Sequence, residues 1–153
     1  MQSGAYVIFL GTGSSANQLC LGVNTLPNGK KACTVATFDP VSSATTWLLA
    51  TVPGTDGQNG LYLQHLDSQL CPHFGQSPIL CDTLDPFNKE YFLRLDDVDD
   101  GQVAINNHDR SYVMDANGNS PRVGAAVTPW KWNKGDNQKW RFISTAEFTT
   151  LPR

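Results

Sequence analysis

Short apolar runs with every-other-residue alternation recur along this chain, each bounded by turn residues, and no segment carries a convincing helical pattern. Three runs open in the same way: Tyr6-Val7-Ile8-Phe9, Leu61-Tyr62-Leu63-Gln64 and Val103-Ala104-Ile105-Asn106. Each is followed by a second apolar strand, at Cys20-Leu21-Gly22-Val23, Leu70-Cys71 and Tyr112-Val113-Met114. A third strand then runs into a turn, at Thr37-Phe38-Asp39-Pro40, Thr83-Leu84-Asp85-Pro86 and Trp130-Lys131-Trp132-Asn133. A closing strand follows an aromatic residue, at Trp47-Leu48-Leu49, Phe92-Leu93-Arg94-Leu95 and Trp140-Arg141-Phe142-Ile143. Asn28-Gly29, Asp56-Gly57, Asn59-Gly60, Asp100-Gly101 and Asn117-Gly118 mark turns between these runs.

The pattern predicts twelve short strands in three similar units of four, with closing aromatics at near-equal spacing. A four-stranded unit cannot bury its own apolar face. Three units must therefore close on one another around a pseudo-threefold axis, which is the logic of an all-β β-trefoil. We expect a single domain over residues 1–153, with repeats near 1–57, 58–101 and 102–153.

Composition fits this reading. The 153 residues are 40% apolar and only 16% charged, with 13 Gly and 9 Pro, which disfavours a helical bundle and suits strands joined by turns. A net charge of −3 argues against a generic nucleic-acid binder. No apolar run is long enough to cross a membrane as a helix. The start, MQSGAYVIFLGTG, has neither a basic n-region nor a full h-region, so the expected location is cytoplasmic or exported without a signal peptide.

Several motifs lose force on inspection. Gly11-x-Gly13-x-x-Ala16 follows an apolar strand but leads into Gly22, Pro27 and Gly29, where no dinucleotide-binding helix could form. Asp96 to Gly101 has the wrong register for a calcium loop and reads as a solvated acidic linker between repeats two and three. Cys20 with Cys33 and Cys71 with Cys81 each bracket a hairpin-sized loop, so two local disulfides worth ~2–3 kcal/mol each, or four buried thiols, both fit. His65, His73 and His108 lack partner-ligand spacing, so neither a metal nor any other cofactor is expected. No nucleophile–base arrangement has local support, and the chain reads as a non-enzyme.

The third unit, Tyr112 to Trp140, carries the chemistry. Asp115, Trp130, Asn137, Gln138 and Trp140 stand in an order and spacing that resemble the Gln-x-Trp signature of ricin B-chain-like β-trefoil lectins, above all the fungal fruiting-body kind. The resemblance implies a carbohydrate-binding lectin for galactose- or N-acetylgalactosamine-type glycans, with Asp115, Trp130, Asn137 and Gln138 as the site. It further implies that Gln138 ties the loop to backbone and that Trp140 packs in the core. The chemistry suits a pyranose: a carboxylate accepts hydrogen bonds from adjacent hydroxyls, an indole covers the C–H face, and Asn137 offers a donor and an acceptor. Trp132, two residues from Trp130, is the other candidate wall. Plainer roles stay open: Asp115 opening a hairpin turn, Trp130 as a core or dimer aromatic, Asn137 capping the turn after Gly135.

The same positions look degenerate elsewhere. Gly22, Ala36 and Thr45 stand in repeat one, and Pro72, Asp82 and Glu90 in repeat two. One working site per chain is expected, and a homodimer would supply the avidity that a single shallow site lacks. The runner-up is a β-trefoil protease inhibitor acting through loops such as Thr51–Gly60 or Cys71–Cys81. A trefoil with a protein ligand ranks third.

Overall fold

The computed structural model describes residues 1–11, 18–52, 60–118 and 121–149. Its strands are β1 (Gly4–Leu10), β2 (Leu19–Thr25), β3 (Lys31–Thr37), β4 (Thr46–Val52), β5 (Gly60–His65), β6 (Cys71–His73), β7 (Leu80–Asp82), β8 (Leu93–Asp99), β9 (Gln102–Asn107), β10 (Val113–Ala116), β11 (Val127–Trp130) and β12 (Trp140–Ser144). One helical turn the sequence reading did not anticipate, α1 (Ala146–Thr149), follows the last strand.

Six strands close a barrel in the cyclic order β1, β4, β5, β8, β9 and β12, every neighbour antiparallel. Closure leaves this ring without an unpaired edge. The other six strands form the hairpins β2–β3, β6–β7 and β10–β11. These hairpins meet: β3 pairs with β7, Thr34 bridges Ala126, and Ile79 N donates to Val127 O at 2.9 Å. The result is the expected all-β trefoil.

The core lies between barrel and hairpins, where Ile8, Leu21, Trp47, Leu63, Ile79, Leu93, Ile105, Met114 and Trp140 are fully enclosed or nearly so. Burying large aromatics also requires a partner for each indole N–H. Trp47 Nε1 donates to Leu21 O at 2.9 Å, and Trp140 Nε1 donates to Met114 O at 3.0 Å. Each bond ties a barrel strand to the hairpin of its own repeat.

The register aligns the repeats. Tyr6 lies opposite Trp47, Leu61 opposite Leu93, and Val103 opposite Trp140. The counterpart of the two tryptophans in repeat two is therefore Leu93 and not Phe92. Phe92 faces the other way, with its ring against Gly60. Beyond that one-residue slip, the turns after the third strands agree: Asp39 and Asp85 each accept the N–H two residues on, from Val41 and Phe87, at 3.0 Å.

Other expectations resolve as follows. Asp96 to Gly101 is the end of β8 and its turn into β9, with Asp96 bound to Arg110 and Asp99 to Lys139. All four cysteines are buried free thiols, and the local pairs do not form; Cys33 Sγ instead lies 3.5 Å from Cys81 Sγ, across β3 and β7. Among the described residues no cluster of His, Cys, Asp and Glu is arranged to hold a metal. No described helix is long and apolar enough to cross a membrane. Gly13 to Ala16 of the glycine motif, Asp56-Gly57, Asn59, most of the Thr51–Gly60 loop and the tail beyond Thr149 lie outside the described residues.

Candidate functional site

Strand alternation sets the site's orientation. On β10, Met114 and Ala116 face the core, so Val113 and Asp115 face outward. Across the hairpin Asp115 pairs with Thr128 and Val113 with Trp130. Asp115, Thr128 and Trp130 thus share the outer face, with Trp130 one diagonal step from Asp115, a separation of roughly 7–8 Å that an indole can span. The two differ in exposure: Asp115 is 6% exposed, whereas Trp130 is 59% exposed.

A single turn of 3₁₀ helix, Asp136–Gln138, brings the remaining residues in. Asn137 Nδ2 donates to Asp115 Oδ1 and to Ala116 O, both at 3.1 Å. Gln138 Nε2 donates to Asp115 Oδ2 at 2.8 Å and to Lys131 O at 2.9 Å. Gln138 Oε1 accepts Asn133 N at 2.8 Å, which completes the use of that buried amide. The turn packs closely: a Cβ on Gly135 would meet Asn137 Oδ1 at 2.5 Å and Asn133 Oδ1 at 2.8 Å, so a larger residue there would push both side chains aside.

The structure thus brings Asp115, Asn137 and Gln138 into one hydrogen-bonded cluster and places Trp130 on the same face. Gln138 is wholly enclosed and holds other groups in place without reaching the surface. Asn137 spends both amide hydrogens on Asp115 and Ala116, so what it has left to offer is its carbonyl oxygen. Each Asp115 oxygen accepts one of these amides and keeps a lone pair spare. Burial raises the Asp115 carboxyl above its ordinary value of 3.8, and the Gln138 hydrogen bond opposes the shift. Sequence reasoning missed the backbone partners Ala116 O and Lys131 O, which no side-chain pattern encodes.

Residues 89–151 match the model of the ricin-type beta-trefoil lectin domain-like family. The fold is a β-trefoil whose third repeat is similar to the ricin-type lectin domain. The Rhizoctonia solani agglutinin is similar to this chain with a TM-score of 0.74 and 20% identity, over 94% of this chain and 96% of that one. The Macrolepiota procera ricin B-like lectin, solved in complex with lactose, gives 0.70 and 16%, over 94% and 98%. The C-half of an earthworm R-type lectin, solved with GalNAc, gives 0.60 and 19%, over 92% and 98%. No curated protein matches the chain in sequence.

Strand register superposes the three repeats. Asp115 pairs with Thr128, Gly22 with Thr34 and His73 with Leu80. Repeat one thus carries Gly22, Ala36 and Thr45 in place of Asp115, Trp130 and Gln138, as the sequence alignment has it. A Cβ on Gly22 would meet the Ala36 Cβ at 2.7 Å, so the Ala36 methyl occupies the space a side chain would need. Repeat two carries His73, Asp82 and Tyr91, where the sequence alignment had Pro72, Asp82 and Glu90. His73 Nε2 donates to Asp82 Oδ2 at 2.7 Å, and its ring packs on Tyr91 with centroids 5.1 Å apart. The Cys71–Cys81 segment is the β6–β7 hairpin of this repeat.

Proposed function

We propose that the chain is a non-enzymatic, carbohydrate-binding lectin whose site is built by Asp115, Trp130 and Asn137, with Gln138 positioning them. The observation that carries the proposal is a buried carboxylate fixed by two amides on the same outward face as an exposed indole. The amides of Asn137 and Gln138 fix the Asp115 carboxylate in place, so binding a pair of hydroxyls costs little reorganisation. Charge-assisted hydrogen bonds to the carboxylate are about twice as strong as neutral ones, and the Asn137 carbonyl adds an acceptor beside them. Trp130 offers an apolar wall for the C–H face of the ring.

Galactose- and N-acetylgalactosamine-type glycans are the proposed class. Support comes from the family resemblance and from ricin-type neighbours solved with lactose and GalNAc. A lone exposed site gains useful strength only by multivalency, so a homodimer presenting two sites on one glycan surface is the proposed working form.

Titration calorimetry of methyl β-galactoside, lactose and N-acetylgalactosamine against the unmodified protein and Asp115→Ala tests the reading. Binding by the unmodified protein that disappears in the variant supports it. Sugar binding retained by Asp115→Ala would remove the site, and no binding by the unmodified protein would remove the function.

A further inference from the structure

The third repeat holds a second indole that the Asp115 site does not use. Trp132 lies two residues beyond the end of β11, past Trp130. It is 39% exposed. Its backbone is clamped on both sides by one side chain: Lys131 O accepts Gln138 Nε2 and Asn133 N donates to Gln138 Oε1. Because the same Gln138 amide holds Asp115 Oδ2, the carboxylate and this indole are fixed to a common anchor.

The pseudo-symmetry shows that this exposure is particular to repeat three. Trp130 corresponds to Ala36 and Asp82, so Trp132 corresponds to Phe38 and Leu84. In repeat one that position is covered: Phe38 packs on Phe9 and Phe148 with centroids 5.2 and 5.0 Å apart. Leu84 is half-buried. In repeat three the position carries the largest side chain and leaves it open beside the site. A partly exposed indole on a clamped backbone, two residues beyond the first wall, has the character of a second stacking platform.

We propose that the natural ligand is a glycan of at least two rings, with its terminal ring at Asp115, Trp130 and Asn137 and the adjoining ring on Trp132. This rests on the lectin reading above and specifies its substrate class. Trp132 is a specificity residue: it distinguishes a glycan from a free monosaccharide and leaves recognition of the terminal ring to Asp115.

The test compares methyl β-galactoside with lactose by calorimetry on the unmodified protein, Trp132→Ala and Trp132→Phe. Lactose should bind the unmodified protein about five- to tenfold more tightly, the size of one aromatic contact. Trp132→Ala should erase that difference while leaving the methyl β-galactoside Kd within about twofold, and Trp132→Phe should keep most of it. Saturation-transfer NMR on the unmodified protein gives a readout free of any folding effect, and the glucose-ring protons of lactose should be enhanced. Equal affinity for the two sugars, absence of that enhancement, or an equal loss for both sugars in Trp132→Ala would overturn the proposal while leaving the lectin reading in place. Failure of both sugars to bind the unmodified protein would overturn the two together.

Discussion

At the residue scale the decisive group is the Asp115 carboxylate, because both its oxygens already receive amide hydrogens. Asp115→Asn would turn one oxygen into an NH₂ facing an NH₂ from Asn137 or Gln138. The pair would lose a charge-assisted bond and gain a donor–donor clash, so sugar binding should weaken by about 10- to 100-fold, the size of a hydrogen bond to a charged group. Calorimetry with methyl β-galactoside measures this. The same carboxyl gives the site a pH dependence. Burial raises its pKa above 3.8, so the ionised acceptor should be lost, on acidification, at a higher pH than for an ordinary aspartate. The stability effect has the opposite sense. In the window between the unfolded value and the raised folded value, the native state binds more protons, so this residue's contribution to stability falls as pH rises through it. Binding titrations and urea melts from neutral pH downward should therefore move in opposite directions over that window.

At the scale of strands, the trefoil was legible because three copies of one weak pattern reinforce each other; alternation placed the first, second and fourth strands of each unit, whereas the third strands end at Thr37, Asp82 and Trp130, so the segments expected there are mostly the turns that follow them. Repeats one and three aligned correctly because tryptophan at the closing position leaves no choice. Repeat two did not, since its core residue there is Leu93 while the neighbouring Phe92 attracts an aromatic search yet points to Gly60. The slip carried His73 and Tyr91 out of view. The Gln-x-Trp resemblance anticipated the grouping of Asp115, Asn137 and Gln138 and a tie from Gln138 to backbone, whereas the particular partners, Lys131 O and Asn133 N, leave no mark in the sequence. The indole bonds from barrel to hairpin invite a direct test. Trp140→Phe keeps the ring but strands the buried Met114 carbonyl, and should cost ~1–3 kcal/mol in urea unfolding. Gly22→Asp, designed to rebuild the site in repeat one, should instead destabilise the β2–β3 hairpin, because its Cβ would press on Ala36. Its binding stoichiometry should not rise.

For the whole molecule, threefold architecture must be reconciled with the one site proposed for the third repeat. The barrel asks only that each repeat supply strands and core residues, so the outer faces of the hairpins are free to diverge. Repeat one has closed its face with a glycine–alanine contact, and repeat two has joined His73 to Asp82 where repeat three separates an acid from an indole. The thiols follow the same rule of enclosure: burial pushes Cys20 up to about 11 and Cys71 up to about 12, and Cys33 is raised by its contact with Cys81 and by burial. A thiol reagent at neutral pH should therefore label the native protein slowly and the urea-unfolded chain at all four cysteines. The stoichiometry of sugar binding then separates divergence from redundancy. With Asp115 and Trp130 unmatched in the other repeats, calorimetry should give one methyl β-galactoside per chain, and Asp115→Ala should take that number to zero. Two or three per chain would mean that His73–Asp82 or the closed face of repeat one binds by a different chemistry, and the homodimer would no longer be needed for avidity.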